Sequence, residues 1–213
     1  MPKTKAQGIL TRREREKATH RRAILEAAER IFSEKGLDCA TMEDIAREAE
    51  FSVGALYTFF RNKEVLWSEV IAKIGVDFLA AFRAETQAAS GPREAILALI
   101  QLKLRYAQEH GAFLRVFTET RPGSRILPAA AIPRNCHAIY DTYIGEAALL
   151  FKAAMAKGLL RKADATYTAL SLEGIVNSFK AYWVRSGMEL PLSEQARLVQ
   201  QFFFTLSGIQ KGA

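Results

Sequence analysis

Apolar residues recur along this chain at three- and four-residue spacing, and no stretch alternates convincingly between apolar and polar, so the pattern predicts helix after helix. The first stripe lies in HRRAILEAAERIFSEKGLD, where Ile24, Leu25, Ala28, Ile31 and Phe32 share one face and Gly36 offers a left-handed end. A short helix follows from Thr41, a capping residue. Met42, Ile45, Ala46 and Ala49 fall on its inner side, and Glu43, Asp44, Arg47 and Glu48 on its outer side. After a polar break, Ser52 caps a second short helix in which Leu56 and Phe60 point inward, leaving Tyr57 and Thr58 outward. Two helices this short do not stand alone. The upstream stripe must support them, which predicts a three-helix core carrying an outward face of aromatic and hydroxyl groups, an arrangement suited to duplex DNA.

The helical pattern continues beyond Lys63. Glu64 to about Glu85 carries Leu66, Trp67, Val70, Ile71, Ile74, Phe78 and Phe82. Pro92 suits the start of the next helix, filled by Ala95, Ile96, Leu99, Leu102, Leu104 and Tyr106. Gly111 breaks the pattern before the apolar segment Phe113 to Thr118, and Arg121 to Pro133 holds three of the six prolines. A connection of that length borders a site or moves. Further helices are predicted over about 135–157, 163–186 and 191–208.

Within Thr41 to Lys63, TMEDIAREAEFSVGALYTFFRNK, and the preceding AILEAAERIFSEKG, the motifs AT..DIA..A and S.GALY.FF.NKE.L stand in order. On these residues His20 to Trp67 resembles the DNA-binding domain of the tetracycline-repressor (TetR) family of bacterial regulators. The resemblance implies an all-α fold: a basic arm (1–17), a three-helix helix-turn-helix domain (18–64) and a larger helical ligand-binding and dimerisation domain (65–213). Two positions depart from the family pattern. Glu50 replaces a turn glycine, asking a side chain to enter a turn that often needs positive φ, and Phe59 replaces a polar ring. Carried over residue by residue, the resemblance assigns Thr41, Tyr57 and Lys63 to phosphates and Thr58 to a base edge. Ser52 caps, Val53 and Ala55 are limited to thymine methyls, and Gly54 permits close approach. No Arg, Lys, Asn or Gln lies between Ser52 and Phe60. Thymine methyls, DNA shape and the basic arm must therefore supply specificity, with Arg47 assisting or pairing with Glu43 or Glu50.

Charge supports this reading. The net charge is +7, and the excess is concentrated at the start. There Lys3, Lys5, Arg12, Arg13, Arg15, Lys17, Arg21 and Arg22 face only Glu14 and Glu16. Such a tail suits phosphate contact or minor-groove entry, or is a solvated terminus. Cys39 and Cys136 lack metal-like spacing and are expected as reduced thiols, with Cys39 buried. With three histidines and no HExxH, nucleophile elbow or phosphate loop, the sequence points away from an enzyme, a metal site or a cofactor. It has no signal-peptide pattern and no membrane-length apolar run, so a cytoplasmic, nucleoid-associated bacterial protein is expected.

Two further surfaces are predicted. Phe202, Phe203 and Phe204 are consecutive and spread around a helix more widely than one core absorbs. With the small residues Gly174, Ser178 and Ala181 of the preceding helix, Phe203 and Phe204 are expected at a homodimer interface, as the resemblance also implies. Candidate walls for a pocket taking an unidentified small apolar or aromatic effector are Phe78, Phe82, Tyr106, Phe113, Phe117, Tyr140, Tyr143, Phe151 and Trp183. The expectation is a homodimeric repressor released from a palindromic double-stranded DNA operator by that effector. Its rivals are an architectural or partner-regulated DNA-binding factor and an all-helical interaction module.

Overall fold

The computed structural model of the chain describes residues 11–113 and 133–208, and among them every regular element is helical. Helix α1 spans Arg12–Cys39, α2 Met42–Glu48, α3 Val53–Phe59, α4 Lys63–Ala88 and α5 Pro92–Glu109. A 3-10 turn, Arg134–Cys136, leads into α6 (His137–Ala156), followed by α7 (Ala165–Arg185) and α8 (Leu192–Ser207). The chain divides into two compact units, Met1–Val70 and Ile71–Ala213, so the division falls within α4.

In the first unit, α1 starts from a reciprocal cap. Thr11 accepts from the Glu14 amide at 3.3 Å and donates its own amide to Glu14 Oε2 at 2.7 Å. Residues 12–17, placed by sequence in a basic arm, are therefore the first turns of a helix; residues 1–10 lie outside the described residues. The predicted stripe is buried, with Ile24, Leu25, Ala27, Ala28, Ile31 and Phe32 facing inward. Met42, Ile45 and Ala46 of α2, Leu56 of α3, Phe60, and Leu66, Trp67 and Val70 at the start of α4 are also buried. Phe32 meets Trp67 edge to face at 5.0 Å.

Gly36 breaks the helical geometry at φ +76°, and the Ala40 amide returns to the Gly36 carbonyl at 3.2 Å. Ala40 is buried, whereas Cys39 is exposed. That corrects the expectation of a buried Cys39: the kink at Gly36 rotates the last turn, and the inward position passes to its neighbour.

The α2–α3 turn closes by a Schellman pair. Phe51 N–H donates to the Ala46 carbonyl at 2.8 Å and Glu50 N–H to that of Arg47 at 3.2 Å. This geometry puts Glu50 at φ +60°, where a Cβ is crowded.

In the second unit, α5 packs against α6, α7 and α8, and α6 packs along α7. Leu99, Ile100, Leu102 and Leu104 of α5 share the core with Phe151, Leu172, Val176, Trp183, Val199 and Phe203. Pro92 opens α5 at its first turn, and Asp164 caps α7 by accepting from Tyr167 N–H at 3.0 Å. Trp183 Nε1 donates to the Leu190 carbonyl at 2.9 Å, tying the α7–α8 connection to the core.

Glu50→Gly is expected to stabilise the first unit by about 0.5–1 kcal/mol, the relief of the left-handed side chain less the entropy glycine adds to the unfolded chain. Trp67 and Trp183 fall in different units, so the urea midpoint read from Trp67 fluorescence in a Trp183→Phe background isolates the effect. A lowered midpoint would remove strain at Glu50 from the account.

Candidate nucleic-acid interface

Each short helix starts from a side chain that satisfies its free amides. Thr41 Oγ1 accepts from Asp44 N–H at 3.1 Å, and Asp44 Oδ2 accepts from Thr41 N–H at 3.3 Å. Asp44 also meets Lys35 Nζ at 2.8 Å and Arg47 at 3.7 Å. The hydrogen bond from Lys35, followed by that from Thr41, holds its carboxyl below the usual range. Thr41 thus caps α2 and keeps only its hydroxyl hydrogen for a phosphate. Arg47 pairs with Asp44 rather than with Glu43 or Glu50.

On α3, Ser52 Oγ accepts from Ala55 N–H at 3.1 Å. Leu56 is fully buried, which turns Gly54, Tyr57 and Thr58 to the solvent, with Val53 and Ala55 half-buried at the flanks. Thr58 Oγ1 donates to the Ala55 carbonyl at 2.6 Å. Its hydrogen is committed, so toward a ligand it acts as an acceptor. A Cβ built on Gly54 meets nothing within 4 Å, so nothing inside the protein requires glycine there. Phe59, which replaces a polar ring, packs edge-on against Phe51 at 6.5 Å, and Phe51 packs likewise against His20 at 5.2 Å.

Lys63 has a structural role beside the expected one. Its ammonium donates to the carbonyls of Asp38 at 3.1 Å and Ala40 at 3.0 Å, clamping the end of α1. Two of its three hydrogens are thereby used. Beside it, Thr41, Tyr57, Arg61 and Lys63 line one open cleft of about 320 Å³. Arg61 is exposed and was missed from sequence, since it lies just past the helix searched for base-reading side chains. A cation directly after the aromatic pair Phe59-Phe60 is the signal that would have found it.

The predicted effector residues do not all converge. Phe78 meets Tyr106 at 5.3 Å and Tyr143 at 5.2 Å, Phe82 meets Tyr143 at 5.4 Å, and Tyr140 meets Tyr143 at 6.4 Å. These five form one aromatic group. Phe151 instead stacks on Phe203 at 5.8 Å, Trp183 is engaged with Leu190, and Phe113 is buried. Phe117, with 121–132, lies outside the described residues. Polar chemistry that sequence analysis did not single out sits within the group. Tyr143 OH and Lys103 Nζ both lie 2.6 Å from Glu173 Oε1. Burial first, and Glu173 second, push the Tyr143 phenol well above its ordinary range.

The dimer residues need one correction. Phe203 is 2% exposed and packs in its own unit's core, and Phe204 is half-buried beside it at 5.5 Å. The large apolar residues of α8 that face outward are Phe202, 47% exposed, and Leu206, 60% exposed. One position is 100° of helix, enough to exchange core for surface. Gly174, Ser178 and Ala181 are exposed together on α7, beside the exposed rings of Tyr167 and Tyr182.

A short capped helix, a Schellman turn and a second helix with its polar groups outward define a helix-turn-helix protein. The model of the family described as "Bacterial regulatory proteins, tetR family" matches residues 24–70. Residues 24–70 thus carry the DNA-binding segment of this TetR family of bacterial regulatory proteins. It is 39% identical over 54 residues to the HTH-type transcriptional regulator YhgD of Bacillus subtilis (strain 168), covering 25% of this chain and 28% of that protein. It is 34% identical over 92 residues to the HTH-type transcriptional regulator BetI of Rhizobium meliloti (strain 1021), covering 41% and 43%. The chain thus spans less than half the length of these curated relatives. The fold extends further. The fatty acid degradation regulator FadR from Bacillus halodurans superposes with a TM-score of 0.75 at 19% identity, covering 90% of this chain and 97% of that one. A transcriptional regulator of the TetR/AcrR family from Thermobifida fusca YX-ER1 gives 0.70 at 22% identity, covering 91% and 100%.

Because Lys63 bonds two carbonyls, Lys63→Ala is expected to cost the first unit about 1–2 kcal/mol, the lower range for charge-assisted bonds at a partly exposed site. Chemical denaturation without DNA checks this. Unchanged stability would return Lys63 to a purely ligand-facing role.

Proposed function

We propose that the chain is a homodimeric transcriptional repressor that binds a palindromic DNA operator and is released from it by a small molecule. The observation that carries the DNA-binding part is the outward face of α3. Gly54, Tyr57 and Thr58 are exposed on it, and Tyr57 shares a cleft with Thr41, Arg61 and Lys63. A helix presenting a bare backbone at Gly54 can approach base edges closely, while the flanking cations and hydroxyls meet phosphates on either side.

The inventory also sets how sequence is read. Thr58, acting as an acceptor, fits the amino group of adenine or cytosine, and the half-buried Val53 and Ala55 fit a thymine methyl. Tyr57 and Arg61 supply affinity with little base preference. Two copies are needed because one such face makes few contacts. Joining two half-sites gives the second contact the benefit of effective concentration. Support for self-association is the apolar surface of α7 and α8, where Tyr167, Tyr182, Phe202 and Leu206 are all exposed. The family relationship and the regulator names of the relatives agree with this reading.

Arg61→Ala should weaken binding to every duplex similarly and make log K less steep in log salt by about 1 for each phosphate it no longer neutralises. Thr58→Ala should change preference at one base pair per half-site by about 1 kcal/mol or more. Fluorescence anisotropy over a panel of duplexes at several salt concentrations separates the two patterns. No preference for any duplex would overturn the operator reading.

Phe202→Asp with Leu206→Asp should yield folded monomers, because two charges in an apolar interface cost several kcal/mol, while within the monomer the change removes the Phe202–Phe179 ring contact at 5.5 Å and no fully buried side chain. Light scattering at micromolar concentration reads the mass. A persistent dimer would move the interface elsewhere.

A further inference from the structure

Among the described residues of the second unit, two partly buried lysines stand near one buried carboxylate. Lys103 of α5 reaches Glu173 Oε1 at 2.6 Å, and Tyr143 OH donates to the same oxygen at 2.6 Å. Lys180, about two turns of α7 beyond Glu173, donates instead to a neutral acceptor, Asn177 Oδ1 at 2.9 Å. One carboxylate therefore serves two ammonium groups. Burial pushes Lys180 down to about 8; the charge of Lys103 adds to the shift and that of Glu173 opposes it. At neutral pH Lys180 remains mostly protonated, so the excess charge stays in place.

The surroundings specify what would neutralise it. Lys103 Nζ lies 5.0 Å from the Phe78 ring centre and 4.9 Å from that of Tyr143, so one face of each ring already carries a cation. A cationic ligand would add to an existing excess, and a neutral one would leave it unchanged. An anion balances it. The phenol of Tyr140, pushed up to about 12 mainly by burial, stays protonated and can donate. Phe78, Tyr106 and Tyr140 are only partly buried, so each is in part accessible to solvent. The carboxylates of Asp77, Glu109 and Glu85 act on Tyr106, opposed by Arg105, and those of Glu173 and Asp141 act on Tyr140.

We propose that Lys180, together with Lys103, receives the carboxylate of an aromatic carboxylic acid whose ring lies against Phe78, Tyr106 and Tyr140. Calling this acid the effector rests on the regulator reading above; its binding does not. The acid exchanges its hydration for two charge-assisted contacts, and Lys180 gains the counter-ion that Asn177 does not supply.

Cinnamate and its uncharged isostere cinnamamide test this on the full chain without DNA. Calorimetric titration is expected to show cinnamate binding at least about tenfold more tightly than cinnamamide, the worth of one charge-assisted contact. Lys180→Met should remove that preference while leaving the circular dichroism of the protein unchanged. Should Lys180→Met fail to fold, Lys180→Gln carries the comparison. Equal binding of the two compounds, no binding of cinnamate at millimolar concentration, or an undiminished preference in the variant would overturn the proposal. An anisotropy titration on operator DNA separates the two readings. Cinnamate that binds through Lys180 without changing DNA affinity leaves the anion site standing and removes ligand control. DNA binding without any cinnamate binding does the reverse.

Discussion

A helix of seven residues has no stability of its own, and both α2 and α3 are that short. Their existence depends on burying Met42, Ile45, Ala46 and Leu56 in a core that also contains Ile24, Phe32, Leu66 and Trp67. That single requirement orients everything else in the first unit. Once Leu56 points inward, the helix period sends Gly54, Tyr57 and Thr58 outward, and no further interaction is needed to aim them. The caps at Thr41 and Ser52 and the Schellman turn at Glu50 then satisfy the backbone groups that such short elements leave free.

Legibility followed sequence distance. The stripe from Ile24 to Phe32, the caps and the positive φ at Glu50 are local properties, and each was readable from residues a few positions apart. The bonds of Lys63 to Asp38 and Ala40 span 25 and 23 positions and left no local trace, so its clamp on the end of α1 was not legible beside the phosphate role. Among the three consecutive phenylalanines, the period showed that not all three share one core. Which one faces out depends on the packing of Phe203 against Phe151, a residue of another helix.

The second unit was legible as helices and much less so as chemistry. Lys103, Glu173 and Lys180 sit in sequence surroundings where charge normally means a solvated face. Only the convergence of α5, α6 and α7 brings Lys103 and Glu173 together, where Tyr143 completes the network. The aromatic positions Phe78, Tyr106 and Tyr140 were visible as candidates because they are large and regularly spaced. Their separation from Phe151 and Trp183 is a matter of tertiary packing that a helical period does not carry.

The two exposed surfaces respond oppositely to the medium. Tyr57 and Arg61 stand in a cleft whose attraction for an anion travels through solvent and is screened within about 10 Å at 0.1 M salt. Phe202 and Leu206 offer hydrocarbon, whose tendency to leave water does not weaken with ionic strength, and the +7 charge that holds copies apart is itself screened. With the roles proposed above, rising salt would loosen the charged surface from a polyanion while easing the approach of one copy to another, and dilution in a low-salt medium would reverse the balance. Ionic strength thus pushes the two surfaces in opposite directions.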